Sequence, residues 1–300
     1  MWTRTRLKRQ LRKIRNRFAG RFFHTRYGRE LLISGIGPRV LTMTVDCGDH
    51  IMSFCPGDYI GKKVFRKGHF DRDHVDRLLA ILTERGLLQP QSALLELGAN
   101  IGTQTVYFAL SRRFARIVSI EPDPRNFALL QTNIAQNNLA DTVTLVQCAA
   151  GDSDGSIDFY QHRNNHGKSS AIRQSAGDVR ISVPVRPVPL ILDEAGVSPA
   201  DIGLLWMDIE GYEPVACRSM SALMTRKVPL YTEFSPVHYG PEKTADFVEL
   251  LARFYTTCLV FLDGREIVMP VRDIPVDRDQ FDILLFRADG EPATLTAGDR

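Results

Sequence analysis

The stretch LLELGANIGTQTVYFAL, residues 94–110, decides how this chain is read. An apolar run carrying the acid Glu96 passes at once into two glycines, Gly98 and Gly102, and then into a segment with helical periodicity. A buried strand that feeds a helix through a glycine turn is the opening of an α/β unit. In open α/β sheets ligands bind beyond the carboxyl ends of the strands, where connections diverge. Bare backbone at that point permits a tight turn and close approach by a ligand. The spacing is G-x-x-x-G and differs from the dinucleotide fingerprint G-x-G-x-x-G.

Outward from this turn, apolar runs alternate with helical segments. Strands are predicted at Ala93–Leu97, Arg116–Ile120, Val143–Gln147, Gly203–Met207 and Leu230–Phe234, with helices over 102–112, 124–138, 212–222 and 242–254. That alternation predicts an α/β fold with a mostly parallel sheet covered on both faces. Cys258–Leu262 and Phe281–Phe286 have no helix-length segment between them, so they predict a terminal antiparallel pair. Residues 161–178 read as a polar loop beside the sheet. Upstream, the alternation around Cys47–Gly48–Asp49 predicts a small β-hairpin, and 71–86 predicts a helix ending on Gly86.

A second acid supports a binding role for the turn. Glu121 ends the next strand in IVSIEPDP, 19 residues past Gly102. A carboxylate there can accept the hydroxyls of an adenosine ribose. It can also simply cap the following helix, whose start suits Pro124. Ribose binding is the favoured of the two.

The ordered set LLELGANIG, IEPDPRNFALLQTNIAQNN, AAGDSDG, NNHGKSSAI, DIEGYE and YTEFSP resembles FkbM-type S-adenosylmethionine-dependent methyltransferases over roughly residues 68–240. The resemblance implies a Rossmann-like, seven-stranded methyltransferase sheet and O-methylation of a carbohydrate, glycolipid or natural-product hydroxyl. It also implies that Glu96, Gly98, Ala99, Asn100 and Gly102 border the methionine part of the cofactor. Glu121 would hold the ribose, flanked by Pro122 and Asp123, and Cys148, Ala149 and Asp152 would lie along the adenine edge. Two departures stand out. The glycine motif opens on Glu96 where the family usually has Asp, and Trp206 stands where the family usually has a lysine two residues before the aspartate.

Asp208 ends the strand LLWMD and is the first candidate to position or deprotonate an acceptor hydroxyl, with Glu210 and Glu233 behind it. An ordinary carboxyl is a poor base at neutral pH, so burial or a shared proton is required. A divalent cation held by Asp208 and Glu210 is an alternative, although no metal is expected. His166 and Lys168, in the loop NNHGKSS, could serve as base or bind a sugar hydroxyl, and His238 is a lesser candidate. Glu213 reads as an acid in a first helical turn that complements the helix dipole. A nicotinamide oxidoreductase and a non-catalytic binding module are the alternative functions. The first lacks its glycine fingerprint; the second predicts loss of acids that are all present.

The bulk composition adds one asymmetry. The 300 residues carry a net charge of +3, yet residues 1–30 hold eleven Lys or Arg against the single acid Glu30, leaving −7 for the rest. Leu7, Leu11, Ile14, Phe18 and Phe22 step along one helical face among these cations. Such an arm fits an anionic membrane surface, packing on its own domain, or nucleic acid. The last is not expected, because the body supplies no further basic patch. The five scattered cysteines argue against a disulfide framework or zinc site. With no apolar run of spanning length and no signal-like N-terminus, the expectation is a cytoplasmic, possible membrane-peripheral protein of open oligomeric state. The expected organisation is a basic arm (1–30), an N-terminal hairpin and helix (31–90), the methyltransferase domain (91–290) and a tail (291–300).

Overall fold

The first unit runs from the N-terminus to Phe70. Its opening helix α1 (Trp2–Phe23) turns into α2 (Arg26–Ser34) at Thr25, whose hydroxyl accepts from Gly28 N at 3.1 Å. Position 28 must be glycine, because a Cβ there would lie 2.0 Å from the Phe22 carbonyl oxygen. Strands β1 (Met43–Asp46) and β2 (Ile51–Phe54) form the expected antiparallel hairpin, Asp46 opposite Ile51. A short helix not anticipated from the sequence, α3 (Tyr59–Lys67), follows with Asp58 as its N-cap. The computed structural model describes residues 2–37, 39–163 and 165–287, so the tail expected at 291–300 lies outside the described residues.

The second unit begins at Asp71, twenty residues before the boundary expected at residue 91, and therefore includes α4 (Arg72–Glu84). The chain then alternates: β3 (Ala93–Leu97), α5 (Thr103–Ser111), β4 (Arg116–Ile120), α6 (Pro124–Gln136), β5 (Val143–Val146). Next come β6 (Ala149–Gly151), β7 (Gly155–Gln161), β8 (Val179–Pro187) and α7 (Val188–Glu194). The alternation resumes with β9 (Ile202–Met207), α8 (Glu213–Ser219), α9 (Ser221–Thr225), β10 (Leu230–Phe234), α10 (Pro236–Tyr239) and α11 (Pro241–Ala252). It closes on β11 (Thr257–Leu262), β12 (Arg265–Pro270) and β13 (Phe281–Phe286).

The main sheet has eight strands in the order β12-β11-β13-β10-β9-β3-β4-β5. Five of them, β5, β4, β3, β9 and β10, are parallel. β13 inserts antiparallel between β10 and β11, which is the antiparallel pair the sequence predicted. The eighth strand, against seven expected, is β12 at the edge. Its sequence REIVMP buries no residue, so hydrophobic patterning gave no signal for it. β6, β8 and β7 form a separate three-stranded sheet flanking the loop over 162–178.

The order of the strands fixes where a site can form. From β3 the chain moves outward through β4 to β5, then returns to place β9 on the other side of β3. The β3/β9 junction is thus the topological switch point, where connections leave in opposite directions and open a crevice. Both faces of the sheet are covered. Leu95, Leu97, Ile120, Leu205 and Met207 pack against Ile191, Ala216, Met224, Phe247 and Leu251 of α7, α8, α9 and α11. On the opposite face Trp206 stacks on Tyr231 (4.4 Å, 12°) and meets Phe108 of α5 edge-on at 5.3 Å. The position where the resembled family usually has a lysine is therefore part of an aromatic core layer.

Candidate active site

Gly98 and Gly102 sit at the switch point with φ +88° and +86°, and Asn100 between them also has a positive φ of 52°. A Cβ on Gly98 would fall 1.8 Å from the carbonyl oxygen of Asp208, at the end of the neighbouring β9. One on Gly102 would fall 2.6 Å from Leu130 Cδ1. The bare backbone is thus required first by the protein's own strand ends.

The turn's N–H groups are also occupied internally. Gly98 N and Ala99 N both donate to the Ile120 carbonyl (3.0 and 2.9 Å), and Gly102 N donates to that of Ala99 (2.8 Å). Asn100 N donates to Glu121 Oε2 at 2.8 Å. A loop that cradles a diphosphate needs such donors aimed outward. These four point inward, which counts against a dinucleotide.

Glu121 joins the turn to the next strand. Its Oε1 accepts from Asp123 N at 2.8 Å while Oε2 takes the Asn100 N–H. The helix cap is Asp123 instead, whose carboxylate accepts from Arg125 N (2.9 Å), pairs with Arg125 Nη2 (2.8 Å) and accepts from Gln161 Nε2 (2.7 Å). Burial pushes Glu121 up to about 8, against the pull of the Asp123 and Asn100 N–H groups and the Asn126 side chain. Each carboxylate oxygen keeps a lone pair for another donor. Beside it lies a narrow apolar cleft lined by Gly98, Ile120, Pro122, Cys148, Ala149, Phe159, Ile209 and Tyr212. An apolar cleft bordered by a buried carboxyl suits a planar heterocycle attached to a polyol.

Glu96 is fully buried one strand over. Its Oε2 accepts from Thr105 Oγ1 and Ser119 Oγ, each at 2.6 Å, and burial raises it to about 7. Its Oε1 has no hydrogen-bond partner among the described residues, nor do Asn100 Oδ1 and Asn126 Oδ1. Unpaired buried oxygens are costly. The two amide oxygens are acceptors, and a hydrogen-bond donor placed beside either would satisfy it.

On the other side of the switch point Asp208, Glu210 and Glu233 converge, with one carboxylate oxygen from each lying within 4.8 Å of the others. Burial, reinforced by Glu233 and Glu210, holds Asp208 well above the usual carboxylate range. Burial and Glu210 push Glu233 up to about 8, and its Oε2 lacks a partner among the described residues. Asp208 and Glu233 are the two members of the trio that burial and neighbouring charge bias toward the protonated form. Glu210 is held at φ +53°, an uncommon backbone for a residue with a side chain, with Ser170 Oγ donating to its carbonyl at 2.7 Å.

Glu213, which the sequence reading did not place in the site, and His238, its lesser candidate, both contribute to this arrangement. Glu213, read as a first-turn helix acid, is instead fully buried. Its Oε1 accepts from Ile209 N (3.0 Å), and its Oε2 accepts from Gly211 N and Tyr239 Oη (both 2.9 Å). It ties down the loop that carries Asp208 and Glu210. The imidazole beside the trio is His238, Nε2 lying 3.4 Å from Glu210 Oε2. His166 is not part of the trio; its carbonyl accepts from Asn126 Nδ2 at 3.3 Å, in the same short turn as Lys168. Asp152 likewise departs from expectation. Its carboxylate is half-exposed and pairs with Arg218 at 3.3 Å, whereas Cys148 and Ala149 of the same segment do line the cleft.

Comparison with known proteins follows from this geometry. The sequence pattern of the Methyltransferase FkbM domain matches residues 96–256, more than half of the chain and all of the elements just described from Glu96 to α11. The chain belongs to the FkbM methyltransferase family. The chain also aligns with the 2-O-methyltransferase NoeI of Sinorhizobium fredii, 29% identical over 164 residues. That alignment covers 50% of this chain and 65% of the relative, so the chain spans a little under two thirds of the curated relative's length. Among solved structures, Methyltransferase FkbM from Methylobacillus flagellatus KT aligns over 75% of this chain and 52% of its own (20% identity, TM-score 0.43). An O-methyltransferase from Bacillus cereus in complex with SAH aligns over 72% and 91% (12% identity, TM-score 0.38). Family membership removes the oxidoreductase alternative.

Proposed function

We propose that this chain transfers a methyl group from S-adenosylmethionine to a hydroxyl oxygen of a carbohydrate, glycolipid or natural-product acceptor. The observation that carries the reading is the Asn100–Glu121 bridge at the switch point, with an apolar cleft on one side and a converging carboxyl trio on the other. The printed name of the aligned relative, a 2-O-methyltransferase, points to oxygen as the methyl acceptor.

The residues fit that cofactor by chemistry. Ile120, Pro122, Cys148, Ala149 and Tyr212 supply an apolar slot for the adenine, and Glu121 accepts from the ribose hydroxyls. The unpaired oxygens of Glu96 and Asn100 match the ammonium of the methionine portion. When bound, the sulfonium supplies an electrophilic methyl. What remains for the protein is to hold the acceptor oxygen in line and take its proton. Asp208 is the base, its affinity for protons raised by Glu233 and Glu210, and His238 fixes the Glu210 carboxylate. Glu213 positions the loop and touches no reacting atom. The trio is assigned to proton transfer although three carboxylates could also serve a divalent cation.

Incubation of the full-length protein with methyl-labelled cofactor and hydroxylated glycan or small-molecule extracts, read by mass spectrometry, tests the assignment. The expected product carries the label on oxygen, and transfer persists after chelation. Label on nitrogen or carbon, or activity lost to chelator and restored by magnesium, overturns the corresponding part. The five cysteines are free thiols, which suits the reducing cytoplasm proposed for the enzyme.

A further inference from the structure

The N-terminal helix α1 leaves its apolar face uncovered. Leu7, Leu11, Ile14, Phe18 and Phe22 fall within about 80° of the helix circumference at 3.6 residues per turn, and they are between 46% and 70% exposed. The neighbouring α2 adds Tyr27 at 84% and Leu31 at 61% exposed. The rest of α1 is cationic, with Arg4, Arg6, Lys8, Arg9, Arg12, Lys13, Arg15, Arg17 and Arg21 and no acid. Glu30, the one acid of the first thirty residues, is paired with Arg66 at 2.8 Å and so does not neutralise the arm.

We infer that α1 lies in the interface of an anionic lipid bilayer, apolar stripe inward and arginines over the headgroups. No described helix is long and apolar enough to cross a membrane, so the association is peripheral. Charge complementarity identifies the partner. Nine cations without an acid draw anionic lipid, each adding to attraction that decays within a Debye length. The apolar stripe distinguishes lipid from nucleic acid, whose phosphates would engage the arginines and leave five large apolar side chains in water. Two such arms repel one another, which disfavours pairing between copies. The stripe is narrow, so insertion depends on the charge around it, and neutral lipid does not hold the helix. This inference is independent of the assignment of the catalytic site.

Flotation of the full-length protein with vesicles containing about one-third phosphatidylglycerol in phosphatidylcholine, against phosphatidylcholine alone, tests it. The expected result is binding to the anionic vesicles only, lost when salt rises from about 0.1 M to about 0.5 M. Leu11→Glu/Phe18→Glu weakens it at least about tenfold at low salt, as does Arg12→Gln/Arg15→Gln. Both variants alter exposed side chains, and unchanged circular dichroism and S-adenosylhomocysteine binding confirm that they fold. Equal binding by Leu11→Glu/Phe18→Glu and the parent protein overturns the inference. So does binding to neutral vesicles, tighter binding to duplex nucleic acid than to anionic lipid, or salt-sensitive self-association that leaves no vesicle-bound protein.

Discussion

Asp208→Asn lowers the turnover of methyl transfer about a thousandfold while leaving S-adenosylhomocysteine affinity within about threefold of the parent protein. Asparagine keeps the shape of the strand end, the Asp208 N–H bond to Leu97 O at 3.0 Å and the contact of the Asp208 carbonyl with Gly98. It removes only the capacity to take a proton. The neighbours supply a second readout. Asp208 titrates high because burial and the Glu233 and Glu210 carboxylates oppose its ionisation. Glu233→Gln deletes one of those charges, so Asp208 ionises at lower pH. The acid limb of the turnover profile, which reports the base losing its proton, then moves down by about one pH unit. Turnover unchanged in Asp208→Asn, or an acid limb that stays or moves upward in Glu233→Gln, removes Asp208 from the role of base.

Gly98→Ala produces the largest structural effect expected of a single methyl group in this chain. The new Cβ meets backbone, the Asp208 carbonyl oxygen at 1.8 Å and its carbon at 2.8 Å, at a position whose φ of +88° already penalises any side chain. Relief requires the ends of β3 and β9 to separate, and Leu97 faces Met207 across that pairing. The expected cost is about 3 kcal/mol or more, a fall of about 10 °C in Tm for a domain of this size, with cofactor binding weakened beyond detection. Gly102→Ala has a similar φ of +86° but meets the end of a leucine side chain, which can rotate away. About half the loss of stability is expected there. Scanning calorimetry of both variants checks the order; equal effects at the two positions contradict it.

The strand ends and the glycine turn were legible because buried parallel strands read as apolar runs and the intervening helices keep a 3.6-residue period. Those signals depend on the sequence locally, and β3, β4 and β10 came out residue for residue. What the glycines are for was only half legible. Bare backbone at a switch point suggests ligand contact, yet here it admits the neighbouring strand's carbonyl, and which atom approaches depends on long-range pairing. Glu213 was read as a first-turn acid stabilised by the helix dipole, and it does begin α8; only tertiary structure turns it onto Ile209, Gly211 and Tyr239. His166 drew more notice through its motif than the lesser candidate His238, yet it is His238 that reaches Glu210, through the corner after β10, which no spacing rule encodes. β12 escaped because an exposed edge strand has no apolar face, and the β6-β8-β7 sheet because its pairing spans a long polar loop.

The joined Gly98 turn and Glu121 carboxyl are the proposed grip on an adenosyl cofactor. Calorimetric titration of the full-length protein with S-adenosylhomocysteine, beside Glu121→Ala, tests this most directly. The parent protein is expected to bind with a Kd on the order of 1–100 μM, and the variant at least about tenfold more weakly with its fold intact. Heat indistinguishable from dilution at millimolar ligand, or equal affinity in Glu121→Ala, contradicts it.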